Sequence, residues 1–498
     1  MAVLEKVEPE KVFRFFEELS RIPHGTFDTR RISDHCVAFA KERGLEVIQD
    51  KVGNVIIKKP GTPGYEDSKP IILQGHLDMV CEKKPGSVHN FTKDALELYV
   101  EDGFVKEIPD SGYFFNSGWA LGNQFNAYLV DDCIAVAMVM AVLDSSDIAH
   151  PPIEALFTID EEVGMTGAKA VDWSLLKGRT LINIDSEEEG ILTTGCAGGI
   201  QYETRLPIHR EKKSGSLITV KIHGLKGGHS GAEIHKQRGN AHKMMGRLLY
   251  RITKEIPADL VEINGGTKDN VIAMESVAEI LVPESQAEKA MGMIRELAGI
   301  WNDEFLNDEP DLAVDMKVSH DSTVDVCDQY STDRIVAYLE ICPDGLQGFN
   351  RSLKGVVESS LNIGIVETAS DYIRTVHLIR SSVESRKTQL FEQVEQCVKA
   401  LGGTGTITSE YPAWQFNPDS RLRRIMEDTY EELYGVKPAI STMHAGLECG
   451  LFVGQQPDLD CVSVGPNIPD VHSFRERLDI ESTGRTWEYL KKILENCR

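Results

Sequence analysis

Residues 153–159, Ile-Glu-Ala-Leu-Phe-Thr-Ile, run straight into three carboxylates, Asp160, Glu161 and Glu162, and then into the turn Val163-Gly164-Met165-Thr166-Gly167. A short, largely apolar run of this kind reads as a buried strand. Three adjacent acids at the end of a core strand repel one another and lose solvation. A cation offsets both costs: one carboxylate can bind it while another stays free as a proton acceptor. Taken alone, a solvated acidic turn is the simpler reading. The constraint gains force only from what the rest of the chain can bring to the same place.

Upstream, residues 9–22 carry an apolar stripe of Val12, Phe15, Phe16 and Leu19 between Pro9 and Pro23, which predicts a first helix. A second is expected over about 31–43, ending at Gly44, with strands near 45–48 and 55–58. Pro70-Ile71-Ile72-Leu73-Gln74-Gly75-His76-Leu77-Asp78 reads as a core strand with a polar end. His76 and Asp78 are two apart, so on a strand they point to one side, a spacing that suits a ligand imidazole beside an acid. Residues 83–118 are polar and turn-rich, which predicts a surface hairpin. Asp131-Asp132 opens a run to Leu143 that is apolar nearly all round, hence a buried helix. Those two acids either cap that helix or supply a ligand at the rim of the sheet. A helix is expected near 167–176, and then a strand, Thr180 to Asp185, again ends in an acid.

Strands separated by helices and ending in polar residues predict an α/β sheet with parallel segments, whose sites gather at the carboxyl ends of the strands. His76, Glu161, Glu162 and Asp185 all fall at such ends. Independent surface acids would not share that placement.

Near Gly198-Gly199 the character changes. Residues 200–407 read as a second, α+β domain inserted into the first, with one antiparallel sheet backed by helices. Its expected elements are a half-buried strand at 217–222, the histidine loop Gly227-Gly228-His229-Ser230-Gly231, a helix at 240–254, strands near 270–274 and 376–382, and a helix near 388–401. The tail, 408–498, returns to α/β: a helix over about 420–433, the glycine-bearing turn His444 to Gly450, a strand at 459–466, the loop Asp470-Val471-His472-Ser473 and a last helix near 484–496. The domain expectation is thus 1–199 and 408–498 for one domain, 200–407 for the other.

Composition narrows the function. A net charge of −25 argues against nucleic-acid and anionic-membrane partners, which need a basic face. No apolar run reaches the ~20 residues that span a bilayer. Met1 to Lys6 shows no basic region followed by an apolar core, so no signal peptide is expected. Ten scattered cysteines with no C-x-x-C pair fit reduced thiols in a cytoplasm.

The candidate metal ligands are then His76, Asp131, Glu162, Asp185 and His472. Two imidazoles with three carboxylates suit zinc, with manganese or cobalt as substitutes, better than copper or a thiolate site. Five ligands are too many for one catalytic zinc with an open position. They suit two metals that share a bridging carboxylate and a water. Asp78 can accept the second ring N–H of His76 and fix its tautomer. Glu161 is left as the general base.

The runs Gly75-His76-Leu77-Asp78-Met79-Val80-Cys81-Glu82, Asp160 to Ala168, Asp185-Ser186-Glu187-Glu188-Glu189-Gly190, Gly228-His229-Ser230-Gly231 and His444 to Gly450 resemble the bacterial aminoacyl-histidine dipeptidases, the cytosol non-specific or carnosinase-like di-zinc metallopeptidases. The resemblance extends almost end to end. It implies a zinc exopeptidase-like catalytic domain, a mixed sheet flanked by helices, and an inserted α+β lid. It implies two zinc ions held by His76, Asp131, Glu162, Asp185 and His472 with Asp131 bridging, Asp78 as the orienting acid and Glu161 as the base. It implies that His229, Asn270 and Arg380 bind the substrate or its developing oxyanion and that Gly446 lines the substrate site. Dimers are common in the family, so a homodimer is part of the expectation. One stretch departs from the pattern. The family's compact Leu-Gly-Ala-Asp-Asn-Gly run is interrupted here by residues 123–130, and Cys133 stands where glycine is expected. Asp132 therefore stays open as the alternative bridge.

The expectation is a cytoplasmic metallodipeptidase acting on unblocked dipeptides, including Xaa-His types such as β-alanyl-histidine. Arg380, with its two-pronged guanidinium, is expected to clamp the C-terminal carboxylate. Two rivals stand beside it: a related metal-dependent amidase or deacylase on the same scaffold, and a catalytically impaired metal- or peptide-binding homologue.

Overall fold

The computed structural model of the chain describes residues 3–81, 83, 87–107, 131–471 and 475–498. They form two compact units. One comprises Met1–Gly195, Phe416–Ser441 and Leu447–Arg498, the other Cys196–Gln415 and Thr442–Gly446.

The first unit is built on an eight-stranded mixed sheet. Its strands run in the order Glu46–Gln49, Val55–Lys59, Ile153–Thr158, Ile71–His76, Thr180–Asn183, Asp460–Ser463, Ile191–Cys196, Ala439–Met443. Ile71–His76 lies at the centre, parallel to both neighbours, with Ile71 opposite Ile153 and Thr180, His76 opposite Thr158, and Gln74 opposite Asn183. Asp460–Ser463 continues the parallel block, and the outer strands on either side turn antiparallel. Every residue of Ile71–His76 and Ile153–Thr158 is buried, as central parallel strands covered on both faces must be.

The cover is supplied by helices the sequence marks clearly. Glu10–Ser20 follows Pro9 and buries Val12, Phe13, Phe15, Phe16 and Leu19. Cys133–Asp144 is buried from Cys133 through Leu143, and it packs on both Glu10–Ser20 and the central strand. That approach needs Gly75: a Cβ there would stand 2.6 Å from Asp132 Oδ2 and 2.8 Å from the Ala135 methyl. A small three-stranded sheet, Leu98–Glu101, Phe104–Glu107 and Leu478–Asp479, accounts for part of the hairpin expected over 83–118. Residues 108–130, including the interrupted stretch at 123–130, lie outside the described residues, as does His472.

The second unit is an antiparallel sheet in the order Ala313–Cys327, Arg210–His223, Ser276–Val282, Asp259–Gly265, Val357–Thr368, Tyr372–Ser381, Gly198–Pro207, Thr404–Tyr411, with Gly345–Phe349 paired to Val357–Thr368. Helices Ala241–Glu255, Ala287–Phe305, Gln329–Ile341 and Glu384–Ala400 bury their apolar sides in its core. The fold is therefore α/β with an additional α+β body. No helix among the described residues is long and apolar enough to cross a membrane.

Two local expectations are corrected. The helix expected over 167–176 is only Thr166–Ala170, followed by a 3₁₀ turn at Trp173–Leu175 that Asp172 caps through the Ser174 N–H. Residues 270–274 form no strand: they meet the histidine loop in a single bridge, His229 to Val271. The helices Ala287–Phe305 and Gln329–Ile341 and the long strand Ala313–Cys327 were not anticipated.

Candidate functional site

The acidic turn is shaped by Asp160, whose backbone is left-handed at φ 54. Left-handed backbone is disfavoured for an L-residue, though Asp tolerates it better than most. Here it is stabilised from two sides. Asp160 Oδ1 accepts the Phe27 N–H at 2.9 Å, and the Asp78 carboxylate accepts the N–H of Glu161 at 2.9 Å and that of Glu162 at 3.3 Å. Asp78 is buried and also accepts from Thr26 Oγ1 at 2.9 Å. Its carboxylate thus fixes the backbone carrying both glutamates.

His76 closes the central strand with its ring buried. Nδ1 donates to the Asp78 backbone carbonyl at 2.9 Å, with the Asp78 carboxylate 3.4 Å away. In the neutral ring Nε2 then keeps its lone pair. Nε2 lies 3.6 Å from Asp131 Oδ1 and 3.7 Å from Asp185 Oδ1. Two sets of ligand atoms result, His76 with Asp131 and Asp185, and His76 with Glu161 and Glu162, each set within 4.8 Å. So the structure brings together His76, Asp78, Asp131, Glu161, Glu162 and Asp185.

The electrostatics suit a cation. Burial pushes the carboxyls of Asp185, Asp132 and Glu161 well above the ordinary carboxylate range. Neighbouring charges add to it: Asp132 and Asp131 beside Asp185, Asp131 beside Asp132, and Glu448, Glu162 and Asp131 beside Glu161. Burial opposes a charge on the His76 imidazole, but bonds to Asp131 and Asp78 and the charge of Asp185 outweigh it and raise its pKa well above the usual value. Burial likewise opposes ionisation of Asp78, and its bonds to His76, Glu161 and Thr26 overcome that and hold its pKa low. A crowd of carboxylates around one imidazole is a nitrogen and oxygen donor set that fits a divalent zinc-class ion. The Cys133 thiol has its Sγ 2.9 Å from His24 Nε2.

Two acids carry more than the sequence indicated. Asp132, read above as a cap or as the alternative bridge, makes no cap bond. It is 1% exposed, and Oδ2 accepts the His76 backbone N–H at 3.0 Å. Glu448, inside the glycine-bearing run 444–450, is fully buried. Its Oε2 accepts from Gln74 Nε2 at 2.6 Å and Thr158 Oγ1 at 2.7 Å. The signals were present, a doubled Asp before a buried helix and a lone acid in an apolar turn, but neither names its partner.

The second unit gathers its own set. His229 Nδ1 accepts the N–H groups of Gly231 at 3.2 Å and Ala232 at 2.9 Å, so the neutral ring presents Nε2–H as a donor. Burial and the Arg380 charge lower the His229 pKa and keep that ring neutral. Asn270 is held beside the loop, its carbonyl accepting the Ser230 N–H at 2.9 Å. Arg380 is 5% exposed and donates Nη1 to Tyr411 OH at 2.8 Å, while its Nε has no hydrogen-bond partner among the described residues. Ser360, opposite Arg380 across the strands, bonds His444 Nε2 at 2.8 Å. Burial, with the charges of Arg380 and His229, pushes His444 down to about 3. Gly446 packs against Tyr411, whose ring would lie 2.9 Å from an added Cβ. The sequence singled out His229, Asn270, Arg380 and Gly446. It did not single out His444, Ser360 or Tyr411.

Comparison with known proteins gives a consistent picture. The model of peptidase family M20/M25/M40 matches residues 130–496. The chain is 36% identical over 498 residues to the cytosol non-specific dipeptidase of Escherichia coli (strain K12), covering 99% of each. The crystal structure of the aminoacylhistidine dipeptidase from Vibrio alginolyticus superposes with a TM-score of 0.90 at 34% identity, covering 99% of this chain and 97% of that one. The aminopeptidase PepT of Bacillus cereus shares the fold at a TM-score of 0.56 and 16% identity, with 99% of each chain covered.

Proposed function

Because this chain belongs to peptidase family M20/M25/M40 and is a hydrolase of peptide bonds, we propose that it cleaves unblocked dipeptides, Xaa-His types such as β-alanyl-histidine among them, by a metal-assisted route. The observation that carries the reading is the placement of His76 at the junction of two carboxylate sets.

His76, Asp131, Glu162, Asp185 and His472 would hold two zinc ions, manganese or cobalt substituting, with Asp131 bridging. Metal ions held there would supply Lewis acidity to the scissile carbonyl and to an attacking water, whose pKa they would lower towards ~7. The protein's own groups do the rest. Asp78 holds the His76 ring through its carbonyl and the acidic turn through its carboxylate. Glu161, buried beside the other acids so that its carboxyl is shifted upward, accepts a proton from the water and returns it to the leaving amine. His229 donates Nε2–H to the oxygen that gains charge, a donor type worth ~10²–10³ in rate. Arg380 takes the C-terminal carboxylate, Asn270 binds the substrate or its developing oxyanion, and Gly446 lines the substrate site. Residues 200–407 serve as the inserted lid domain, and 1–199 with 408–498 as the catalytic domain. The protein works in the cytoplasm as a homodimer. The charge of −25, ten cysteines without a disulfide and the cytosol dipeptidase relative support the location.

Histidine release from β-alanyl-histidine by the purified protein, with and without a chelator, tests the reading. Turnover that the chelator abolishes and zinc restores is expected. Deacylation of an N-acetyl amino acid in preference to dipeptide cleavage would favour the amidase reading, and metal binding without any turnover the impaired-homologue reading.

A further inference from the structure

The parallel core carries its site residues just past a row of polar side chains that no proposed step uses. Gln74 stands two residues before His76, Asn183 two before Asp185, and Thr158 two before Asp160 and the glutamates. On adjacent strands these three are joined to one another and to one acid. Asn183 Nδ2 donates to Gln74 Oε1 at 2.6 Å. Gln74 Nε2 donates to Glu448 Oε2 at 2.6 Å and lies 3.1 Å from Thr158 Oγ1, and Thr158 Oγ1 donates to the same Glu448 oxygen at 2.7 Å. All four side chains are buried.

We infer that Glu448 is a positioning residue: its Oε2, held beneath the sheet's carboxyl edge, sets the spacing of the three strand ends that present His76, Glu161 with Glu162, and Asp185. This rests on the metallopeptidase reading above, because the spacing matters through the ligands it presents. Alternating side chains put Gln74 on the same side of its strand as His76, so a pull on Gln74 is transmitted to the imidazole within one pleat. Glu448 opens helix Glu448–Gln455, where the positive end of the helix favours an acid. Its other oxygen, Oε1, is buried without a hydrogen-bond partner among the described residues. Leaving a polar atom so is costly and calls for a reason beyond packing. Burial, with the charge of Asp78 adding, lifts the group to about 7, so a proton can occupy that oxygen near neutrality while Oε2 keeps both bonds. Partners that orient metal ligands from behind typically alter metal affinity or activity 10–100-fold when removed, by order of magnitude ~10-fold or more.

The test compares wild type, Glu448→Gln and Glu448→Leu as full-length protein. Zinc affinity is read by competition with a chelator, kcat and KM with a dipeptide, and folding by circular dichroism. Glu448→Gln, which can accept both bonds with its carbonyl and set its amide where a proton would sit, is expected to stay within ~3-fold of wild type in zinc affinity and kcat, inside the scatter of a conserved hydrogen-bond pattern. Glu448→Leu is expected to lose ~10-fold or more in zinc affinity and in kcat, with KM little changed. Should Glu448→Leu fail to fold, Thr158→Val removes one bond at nearly constant shape and is expected to weaken zinc binding in the same direction. A folded Glu448→Leu that binds zinc as wild type does would overturn the inference and leave the metallopeptidase reading standing, and so would an unaltered Thr158→Val if Leu does not fold. A wild type that binds no divalent ion would overturn the metallopeptidase reading itself.

Discussion

Replacing Asp78 separates orientation from ligation. Its carboxylate accepts two backbone N–H groups from the acidic turn and the Thr26 hydroxyl, and lies 3.4 Å from the His76 ring. With the side chain only 1% exposed, truncation leaves those donors in a dry site. Removing one partner of a buried charged pair costs ~3–5 kcal/mol, so Asp78→Ala should lose about that much stability in metal-free protein. Asp78→Asn still offers one oxygen and should lose less, ~1–3 kcal/mol. Because the acid only orients ligands, both variants should bind zinc, with affinity and kcat/KM down ~10–100-fold. The pH dependence follows from the direction of its shift. The folded pKa lies below the unfolded one, so the stabilisation is fully present above the unfolded value of ~3.9 and is lost as pH falls through the folded value. Urea unfolding of metal-free wild type and Asp78→Asn across that range should show the two converging at low pH. A variant that matches wild type in zinc affinity and kcat/KM within twofold would falsify the orienting role.

Other substitutions probe neighbouring roles. Glu161→Gln should keep zinc content and lower kcat by ~10²–10⁴, because the amide cannot take the proton; loss of metal instead would make Glu161 a ligand. Asp131→Ala should lose at least one zinc per chain by elemental analysis, and full retention would remove it as the bridge. Asp132→Ala should bind both metals but more weakly and unfold ~1–3 kcal/mol more easily, since the buried His76 N–H loses its acceptor; wild-type stability would show that water replaces it. His229→Ala should depress kcat by ~10²–10³ with KM nearly constant, and a rise in KM alone would make it a binding residue.

The parallel core was readable because burial on both faces forces continuous apolar runs, and the acids that end them stand out against that background. Asp132 was misplaced for a definable reason. The expectation treated it as part of a helix starting at Asp131, whereas the helix begins at Cys133 and Asp132 sits in a non-helical conformation at φ −117. The strand Ala313–Cys327 was missed because all but its last two residues are exposed or half-buried, and its valines are interspersed with Asp and Ser instead of forming an apolar run. It pairs along nearly its whole length with Arg210–His223, and only that long-range register makes it a strand. The helix near 167 was overextended because Gly167 and Ala168 look permissive. In the structure Gly167 is there for closeness, with an added Cβ only 2.4 Å from the Ile159 nitrogen. Glu448 and His444 were visible as letters, but their partners lie 374 and 84 positions away.

The five residues Thr442–Gly446 belong to the second unit although the chain around them belongs to the first. A ribosome must therefore make about nine-tenths of the polypeptide before His444 can reach Ser360 or Gly446 can meet Tyr411. A fragment comprising residues 196–415 alone would carry the whole of the second sheet and still lack that segment. Neither unit is encoded by a single uninterrupted stretch of gene.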